Sequence, residues 1–196
     1  MEASSQTTTV LLVGVGGQGT ILAGDLLAKT AAASGYDVKL SEIHGMSQRG
    51  GSVSTVVRFG EKVSSMICDP GCANFIVSFE IIEALRAKPF LSADNGKLFV
   101  NDEVILPVSV ATGVSSAPQD LDERLEAMNA IRIDAMRIAR EVNSPKSANV
   151  VLMGALSTAL PFAQETWHEV ISKRVPPKTI EANLKAFAAG RSAIRG

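Results

Sequence analysis

The feature that most constrains the fold of this chain is a glycine-rich turn between an apolar run and a helical pattern. Residues 10–15 form a continuous apolar run, which is typical of a strand buried on both faces. The run ends in Gly14-Val15-Gly16-Gly17-Gln18-Gly19, and from Thr20 to residue 34 apolar side chains recur at helical spacing. Glycines at such a turn let a strand reverse sharply into a tightly packed helix. The pattern therefore predicts a strand, a tight turn and a helix.

A second strand is predicted at residues 38–41, directly after the helix and Gly35. A strand, a helix and a strand within about 30 residues make a βαβ unit. We therefore expect the first two strands to run parallel, with a right-handed crossover.

The remaining patterns alternate strands and helices early and collect helices late. Further strands are predicted at residues 53–59, 63–67, 74–79, 97–100, 104–110 and 131–133, and helices at 80–87, 120–128, 134–142, 149–160, 166–175 and 178–189. The strand at 63–67 is expected to pair with 53–59 through a turn at 60–62. Together they predict an α/β, Rossmann-like fold: a mostly parallel sheet with helices on both faces and a helical C-terminal cover. We expect a disordered leader at 1–8, one domain at 9–190 and a tail at 191–196.

Composition excludes several classes of function. The chain has 196 residues, 19 Lys and Arg against 20 Asp and Glu, and only 5% aromatic residues. It therefore has neither the basic stripe nor the stacking platforms that nucleic acid requires. No signal-peptide pattern opens the chain, and no apolar run reaches the roughly 20 residues that span a bilayer. We expect a cytoplasmic protein that contacts no membrane.

Several interpretations fit the first glycine motif on its own. The spacing of Gly14, Gly16 and Gly19 matches a dinucleotide-binding turn, and the acidic Glu42 follows the second strand where a ribose-binding carboxylate would stand. This predicts a stand-alone dinucleotide-binding oxidoreductase. The alternatives are close packing of strand and helix without any ligand, a site for some other anion, or a surface that contacts another subunit.

A second glycine-rich stretch, His44-Gly45-Met46-Ser47-Gln48-Arg49-Gly50-Gly51-Ser52, follows the second strand. Loops at the carboxyl ends of strands form the ligand crevice of an open α/β sheet, so both glycine-rich stretches should converge there. Arg49 could grip a carboxylate or phosphate with two hydrogen bonds. Gln48 could donate hydrogen bonds and His44 could move protons, although a solvated loop would also explain these residues.

The two stretches together, at this distance, resemble the gamma-type domain of 2-oxoacid:ferredoxin oxidoreductases, most closely the indolepyruvate type. The resemblance extends from about residue 9 to 190 and includes Phe79-Glu80, Asn149 and the segment from Pro176 to Gly190. Asn74 departs from it, since relatives more often carry aspartate there. Such enzymes oxidatively decarboxylate 2-oxoacids with thiamine diphosphate, transfer electrons through iron–sulfur clusters to ferredoxin and pass the acyl group to coenzyme A.

The resemblance implies that this chain is a small subunit that binds no cofactor alone. Thiamine diphosphate, magnesium and 4Fe-4S clusters are expected in a large alpha subunit, coenzyme A is expected as a co-substrate, and ferredoxin is reached through the complex. We expect a crevice shared with that subunit, with His44, Gln48 and Arg49 as candidate catalytic contributors and a cofactor or anion held by Gly14, Gly16, Gly17, Gln18, Gly19, Gly50, Gly51 and Ser52. A purely structural assembly subunit is the remaining alternative. The isolated chain could form a homodimer, Cys68 and Cys72 are interpreted as ordinary loop or core residues, and no metal site is expected.

Overall fold

The structure, a computed structural model, describes residues 7–44, 51–106, 110, 112–114, 116 and 119–194, with backbone alone for His44. The strands in these ranges are β1 (Thr8–Val15), β2 (Asp37–His44), β3 (Ser52–Gly60), β4 (Phe75–Ser78), β5 (Lys97–Asn101) and β6 (Ile131–Ile133). The α-helices that lie entirely within these ranges are α1 (Thr20–Ala33), α2 (Ile81–Ala87), α3 (Leu121–Glu126), α4 (Ala135–Glu141), α5 (Ala148–Ser157), α6 (Gln164–Arg174) and α7 (Ile180–Ala193). Short 3₁₀ turns occupy Lys88–Phe90 and Pro177–Thr179.

The strands form one sheet in the order β2-β3-β1-β4-β5-β6. Strands β1, β4, β5 and β6 pair in parallel, whereas β3 is antiparallel to both of its neighbours, β1 and β2. The predicted mostly parallel α/β fold is confirmed. Strands β1 and β2 run in the same direction, as expected for the βαβ pattern, but β3 lies between them.

Helices cover both faces of the sheet. Because side chains alternate along a strand, Val10 and Leu12 of β1 pack on one face, against α1 and the C-terminal helices α4 to α7. Leu11 and Val13 of the same strand point to the other face, where α2 and α3 pack. The C-terminal helices therefore form the predicted cover, on the same face as α1.

The predicted strand at residues 63–67 is wrong. Strand β3 already has β1 on one edge and β2 on the other, so no edge remains for a hairpin partner. The segment is instead held by side chains: the Arg58 guanidinium donates 2.9 Å hydrogen bonds to the carbonyls of Ser65 and Ile67. Asp37 accepts a 2.8 Å bond from the backbone N–H of Val63.

The predicted strand at 104–110 is also not formed in its described part: residues 104–106 have no regular structure and residue 110 is helical. The backbone N–H groups before and within it have other partners: Glu103 N donates to Asn101 O, and Ile105 N donates to Glu80. Residues 107–109 of this prediction lie outside the described ranges.

Regular secondary structure extends slightly past both expected ends of the domain. Thr8, assigned to the leader, is the first residue of β1 and pairs with Phe59. Helix α7 continues past residue 190 to Ala193, where the Arg191 guanidinium donates a 2.7 Å bond to Ser157 of α5.

Candidate functional site

The first glycine-rich turn joins β1 to α1 and is largely bonded within the protein. Gly17 and Gly19 have positive φ angles of 107° and 83°, a conformation that favours glycine. Gly19 is the N-cap of α1, and a Cβ added there would lie 2.5 Å from the Asn149 amide nitrogen. The motif therefore serves the tight turn and the close approach of α5.

Gln18 turns its side chain back onto β1. Its Oε1 accepts a 2.8 Å hydrogen bond from the Val15 N–H, and its Nε2 donates a 2.9 Å bond to the Phe79 carbonyl at the end of β4. The N–H groups of Gly16 and Gln18 donate to the carbonyls of Gly51 and Val15. Three backbone donors of the turn are thus occupied, which leaves fewer to cradle a phosphate than the sequence motif suggested.

An amide–carboxylate network continues from Gln18 across the carboxyl edge of the sheet. The Glu103 Oε2 atom accepts bonds from Gln18 Nε2 at 3.3 Å and from Asn101 Nδ2 at 3.0 Å. Asn101 also donates to the Phe79 carbonyl at 3.1 Å and accepts a 3.0 Å bond from the Ala135 N–H. The network joins the ends of β1, β4 and β5 to the start of α4.

A crevice of about 420 Å³ opens beside this network. We call it the edge crevice; its polar wall consists of Gln18, Asn101, Glu103, Lys146 and Asn149. It lies where α1 and α2 leave neighbouring strands β1 and β4 for opposite faces, the position at which open α/β sheets bind ligands. Because Glu103 contributes a carboxylate, an anion bound here would need Lys146 or another cation to offset it.

The second glycine-rich stretch is anchored beside the first. Antiparallel pairing sets Val15 opposite Ser52, and the Gly16 N–H donates a 2.9 Å bond to the Gly51 carbonyl. The expected convergence of the two stretches is therefore confirmed at Gly16 and Gly51. Gln48, Arg49, Gly50 and the side chain of His44 lie outside what the structure describes.

Ser52 faces away from the edge crevice. Its hydroxyl donates a 2.5 Å bond to Glu83 of α2, whose other carboxylate oxygen accepts a 2.5 Å bond from Arg86. Glu83 is only 5% exposed, and a buried charge requires partners. The Ser52 hydroxyl and the Arg86 guanidinium fill that role. This ion pair lies on the face of the sheet that α2 covers.

The dinucleotide interpretation fails on strand order. A ribose-binding carboxylate stands at the end of the strand next to the glycine-rich turn. Here Glu42 pairs with Thr55 of β3, so it lies two strands, or about 10 Å, from β1. The inserted β3 removes the geometry that made Glu42 a candidate.

Glu80 is a fully buried carboxylate that sequence reasoning did not assign a role. It is the N-cap of α2 and accepts backbone hydrogen bonds from Ile82, Glu83 and Ile105. Burial raises the pKa of Glu80, and the three N–H groups oppose that rise in pKa. It fixes the start of α2 rather than contacting the edge crevice.

A second cavity, of about 340 Å³, lies on the α2 face beyond the helix. Strands β1, β3 and β2 floor it with Leu11, Val13, Val56 and Ile43 among others, and Met66, Ile67 and Cys68 wall it. We call this region the uncovered face. Ile43 is 64% and Ile67 65% exposed, which is unusual for two large aliphatic side chains beside one apolar cavity.

Sequence reasoning missed the polar residues after β5. Asn101 ends that strand and Glu103 follows two residues later, so the rule that placed a crevice after β1 and β2 would also have selected them. The expectation of a further strand at 104–110 hid this signal.

Neither a metal cluster nor a membrane span is found in the described ranges. No group of three or more His, Cys, Asp and Glu side chains there is arranged to hold a metal ion. None of the helices in those ranges is long and apolar enough to cross a bilayer.

Comparisons with known proteins agree with this α/β architecture. Residues 9–193 match the family model of pyruvate ferredoxin/flavodoxin oxidoreductases. The chain is 41% identical over 194 residues to the indolepyruvate oxidoreductase subunit IorB of Thermococcus kodakarensis, and equally to that of Pyrococcus horikoshii, covering 95% of each chain. Its fold is similar to the gamma subunit of keto/oxoacid ferredoxin oxidoreductase from Geobacter sulfurreducens, with a TM-score of 0.70, 22% identity, and coverage of 96% of this chain and 98% of that chain.

The fold is thus an α/β domain like that of this gamma subunit. The chain belongs to the pyruvate ferredoxin/flavodoxin oxidoreductase family. The resemblance drawn from the two glycine-rich stretches is confirmed.

Proposed function

We propose that this chain is the small subunit of an indolepyruvate-type 2-oxoacid:ferredoxin oxidoreductase working in the cytoplasm. The complex would decarboxylate an arylpyruvate oxidatively, form the acyl-coenzyme A and pass electrons to ferredoxin. The observation that carries the proposal is the end-to-end likeness to two subunits of that name, 41% identical over 95% of each chain. The position of the edge crevice at the carboxyl ends of β1, β4 and β5 supports a role beside an active site.

The redox and thiamine chemistry would belong to a larger partner subunit. A 4Fe-4S cluster takes four cysteine thiolates, and this chain has two cysteines. We therefore assign thiamine diphosphate, magnesium and the clusters to the partner. This chain would contribute one wall of the shared crevice.

Within that wall, the two glycine-rich stretches supply the candidate contacts. Gly51 follows Arg49 by two residues in the sequence. Its carbonyl accepts a hydrogen bond from the Gly16 N–H of the first turn, and this bond supports a role for the segment beside that turn. We propose that Arg49 meets an anionic group, either a substrate carboxylate or a coenzyme A phosphate, with Gln48 and His44 nearby.

The uncovered face suits the contact with the larger subunit. It combines exposed Ile43, Met66 and Ile67 with an apolar cavity that α2 borders on one side. Stable subunit interfaces have apolar, well-packed centres of this kind.

The test is a pull-down of the tagged chain from its native host without oxygen. The eluate is assayed for indolepyruvate-dependent reduction of a viologen dye with coenzyme A present. The proposal expects a roughly stoichiometric large partner containing thiamine and iron, together with activity. A lone chain that binds NADH would contradict it in favour of a dinucleotide enzyme, and full turnover by the large subunit alone would reduce this chain to an assembly role.

A further inference from the structure

The two cysteines of the chain are brought into contact by a built turn. Cys68 and Cys72 flank the sequence Asp69-Pro70-Gly71, and their Sγ atoms lie 3.4 Å apart, with the Cys72 thiol donating to Cys68. Gly71 has a φ of 75°, and the Cys72 N–H donates to the Asp69 carbonyl. The turn conformation that places the sulfurs together thus depends on a glycine at position 71.

Both ends of this turn are fixed to the rest of the fold. On one side, Arg58 bonds the carbonyls of Ser65 and Ile67, just before Cys68. On the other, Gly71 N and Ala73 N donate to the carbonyls of Pro89 and Phe90. Closing an S–S bond of about 2.05 Å requires the sulfurs to approach by about 1.4 Å, which side-chain rotation and a small shift of the turn can supply.

We propose that Cys68 and Cys72 are a redox-active dithiol, closed to a reversible disulfide by a low-molecular-weight disulfide such as oxidised glutathione. Both residues are half-buried, so a small disulfide can reach them. Cys68 also lines the apolar cavity of the uncovered face. Closure ties that cavity wall covalently to Cys72, whose neighbours are bonded to the 3₁₀ turn at Lys88–Phe90.

The exchange proceeds in two steps. Burial raises the pKa of Cys68 to about 12. One of the two cysteines loses its proton to water, and its thiolate attacks one sulfur of oxidised glutathione, breaking the S–S bond and releasing one glutathione, which takes up a proton. The other cysteine then loses its proton to water and attacks the protein sulfur that carries the adduct, releasing the second glutathione, which also takes up a proton. Two protein thiols are oxidised and one glutathione disulfide is reduced to two thiols.

The test incubates the reduced, full-length chain in oxidised glutathione, quenches it with acid, and counts thiols and measures intact mass. The wild-type chain should fall from two thiols to none, lose two hydrogens and carry no lasting glutathione. Cys68→Ser should keep glutathione on Cys72, with roughly tenfold more adduct than the wild type, because the resolving sulfur is missing.

The thiol count of the wild-type chain decides the proposal, and Cys68→Ser sets the adduct level with which the wild type is compared. A chain that keeps both thiols in excess oxidised glutathione overturns it. So does a wild-type chain that accumulates glutathione adducts to the level of Cys68→Ser.

Discussion

At the scale of single residues, Gln18 connects elements that are distant in sequence. Replacing it with alanine removes the bonds to Val15 N, Phe79 O and Glu103. We expect Gln18→Ala to lower the free energy of unfolding by about 2–3 kcal/mol, because partly buried polar groups lose their partners. Urea unfolding measures this loss, and Gln119→Ala, at an exposed position, is the matched control. Equal stability of the two variants would mean that Gln18 does not brace the turn.

Glu80 gives the fold a pH dependence with a definite sign. Below its ordinary pKa of 4.5 this carboxyl is protonated in the folded and the unfolded chain. Burial raises the pKa of Glu80 in the folded state, so the unfolded chain ionises first and is increasingly favoured as pH rises. The contribution of Glu80 to the free energy of unfolding is therefore present below pH 4.5 and is lost as the pH rises from 4.5 through the raised pKa.

Glu80→Gln isolates this effect, since glutamine stays neutral and has nearly the same shape. The free energy of unfolding of wild type minus that of Glu80→Gln should decrease with rising pH across this window. Urea unfolding at a series of pH values from 4 upward measures the difference. Glu61→Gln, at an exposed position, should show no comparable trend. A difference that increases with pH would contradict the raised pKa.

Arg49 is tested at the same scale by kinetics of the assembled enzyme. Arg49→Met should raise KM or lower kcat about tenfold or more, because a charged hydrogen bond contributes about 1.5–3 kcal/mol. Assembly with the large subunit should be unchanged. Arg124→Met, at an exposed site on α3, serves as the control. Kinetics within about twofold of wild type would remove Arg49 from the site.

At the scale of elements, α5 and α7 pack backbone to backbone. A Cβ added to Gly190 would lie 1.9 Å from the Val151 carbonyl oxygen, and one added to Gly154 would lie 2.1 Å from that of Phe187. Gly190→Ala should therefore cost about 3 kcal/mol, since the two helices must separate. Ser192→Ala, exposed on the same helix, should cost almost nothing. Chemical denaturation compares them; a loss below about 0.5 kcal/mol for Gly190→Ala would show that the contact relaxes easily.

The same scale separates what the sequence predicts from what it leaves open. Strand β1, the glycine-rich turn and α1 follow from a local pattern, and that prediction is confirmed. The insertion of β3 between β1 and β2 depends on pairing between distant segments, which local pattern does not encode. That insertion excluded both the strand at 63–67 and the role of Glu42.

The candidate site, like the fold, was predictable only where a local pattern or a general rule of the fold applies. The convergence of the two glycine-rich stretches at Gly16 and Gly51 follows from the rule that crevices form at the carboxyl ends of strands. Asn101 and Glu103 precede an apolar stretch whose pattern predicts a strand, and that prediction hid them. The Ile105 N–H in the stretch instead donates to a buried carboxylate, Glu80, which no local pattern reveals.

At the scale of the whole molecule, the two faces of the sheet are unequally covered. One face carries α1 and the C-terminal helices α4 to α7, while the other carries α2 and α3 and leaves the uncovered face beside α2, over β3 and β2. A family member that works in a complex would be expected to keep such a region for another chain. The face on which Ile67 lies should therefore be needed for assembly and dispensable for folding.

The substitution Ile67→Asp tests whether this face is needed for assembly but not for folding. Because Ile67 is 65% exposed in the isolated chain, the substitution should change its free energy of unfolding by less than about 0.5 kcal/mol. Binding to the large subunit should weaken about tenfold or more, since an unpaired carboxylate would be buried in an apolar interface. Ile21→Asp is the matched control, because Ile21 is 50% exposed on α1, on the opposite face. Affinity is measured by titrating tagged large subunit with each variant. If Ile21→Asp weakens binding and Ile67→Asp does not, the large subunit docks on the α1 face instead, and the apolar cavity beside Ile67 needs another occupant.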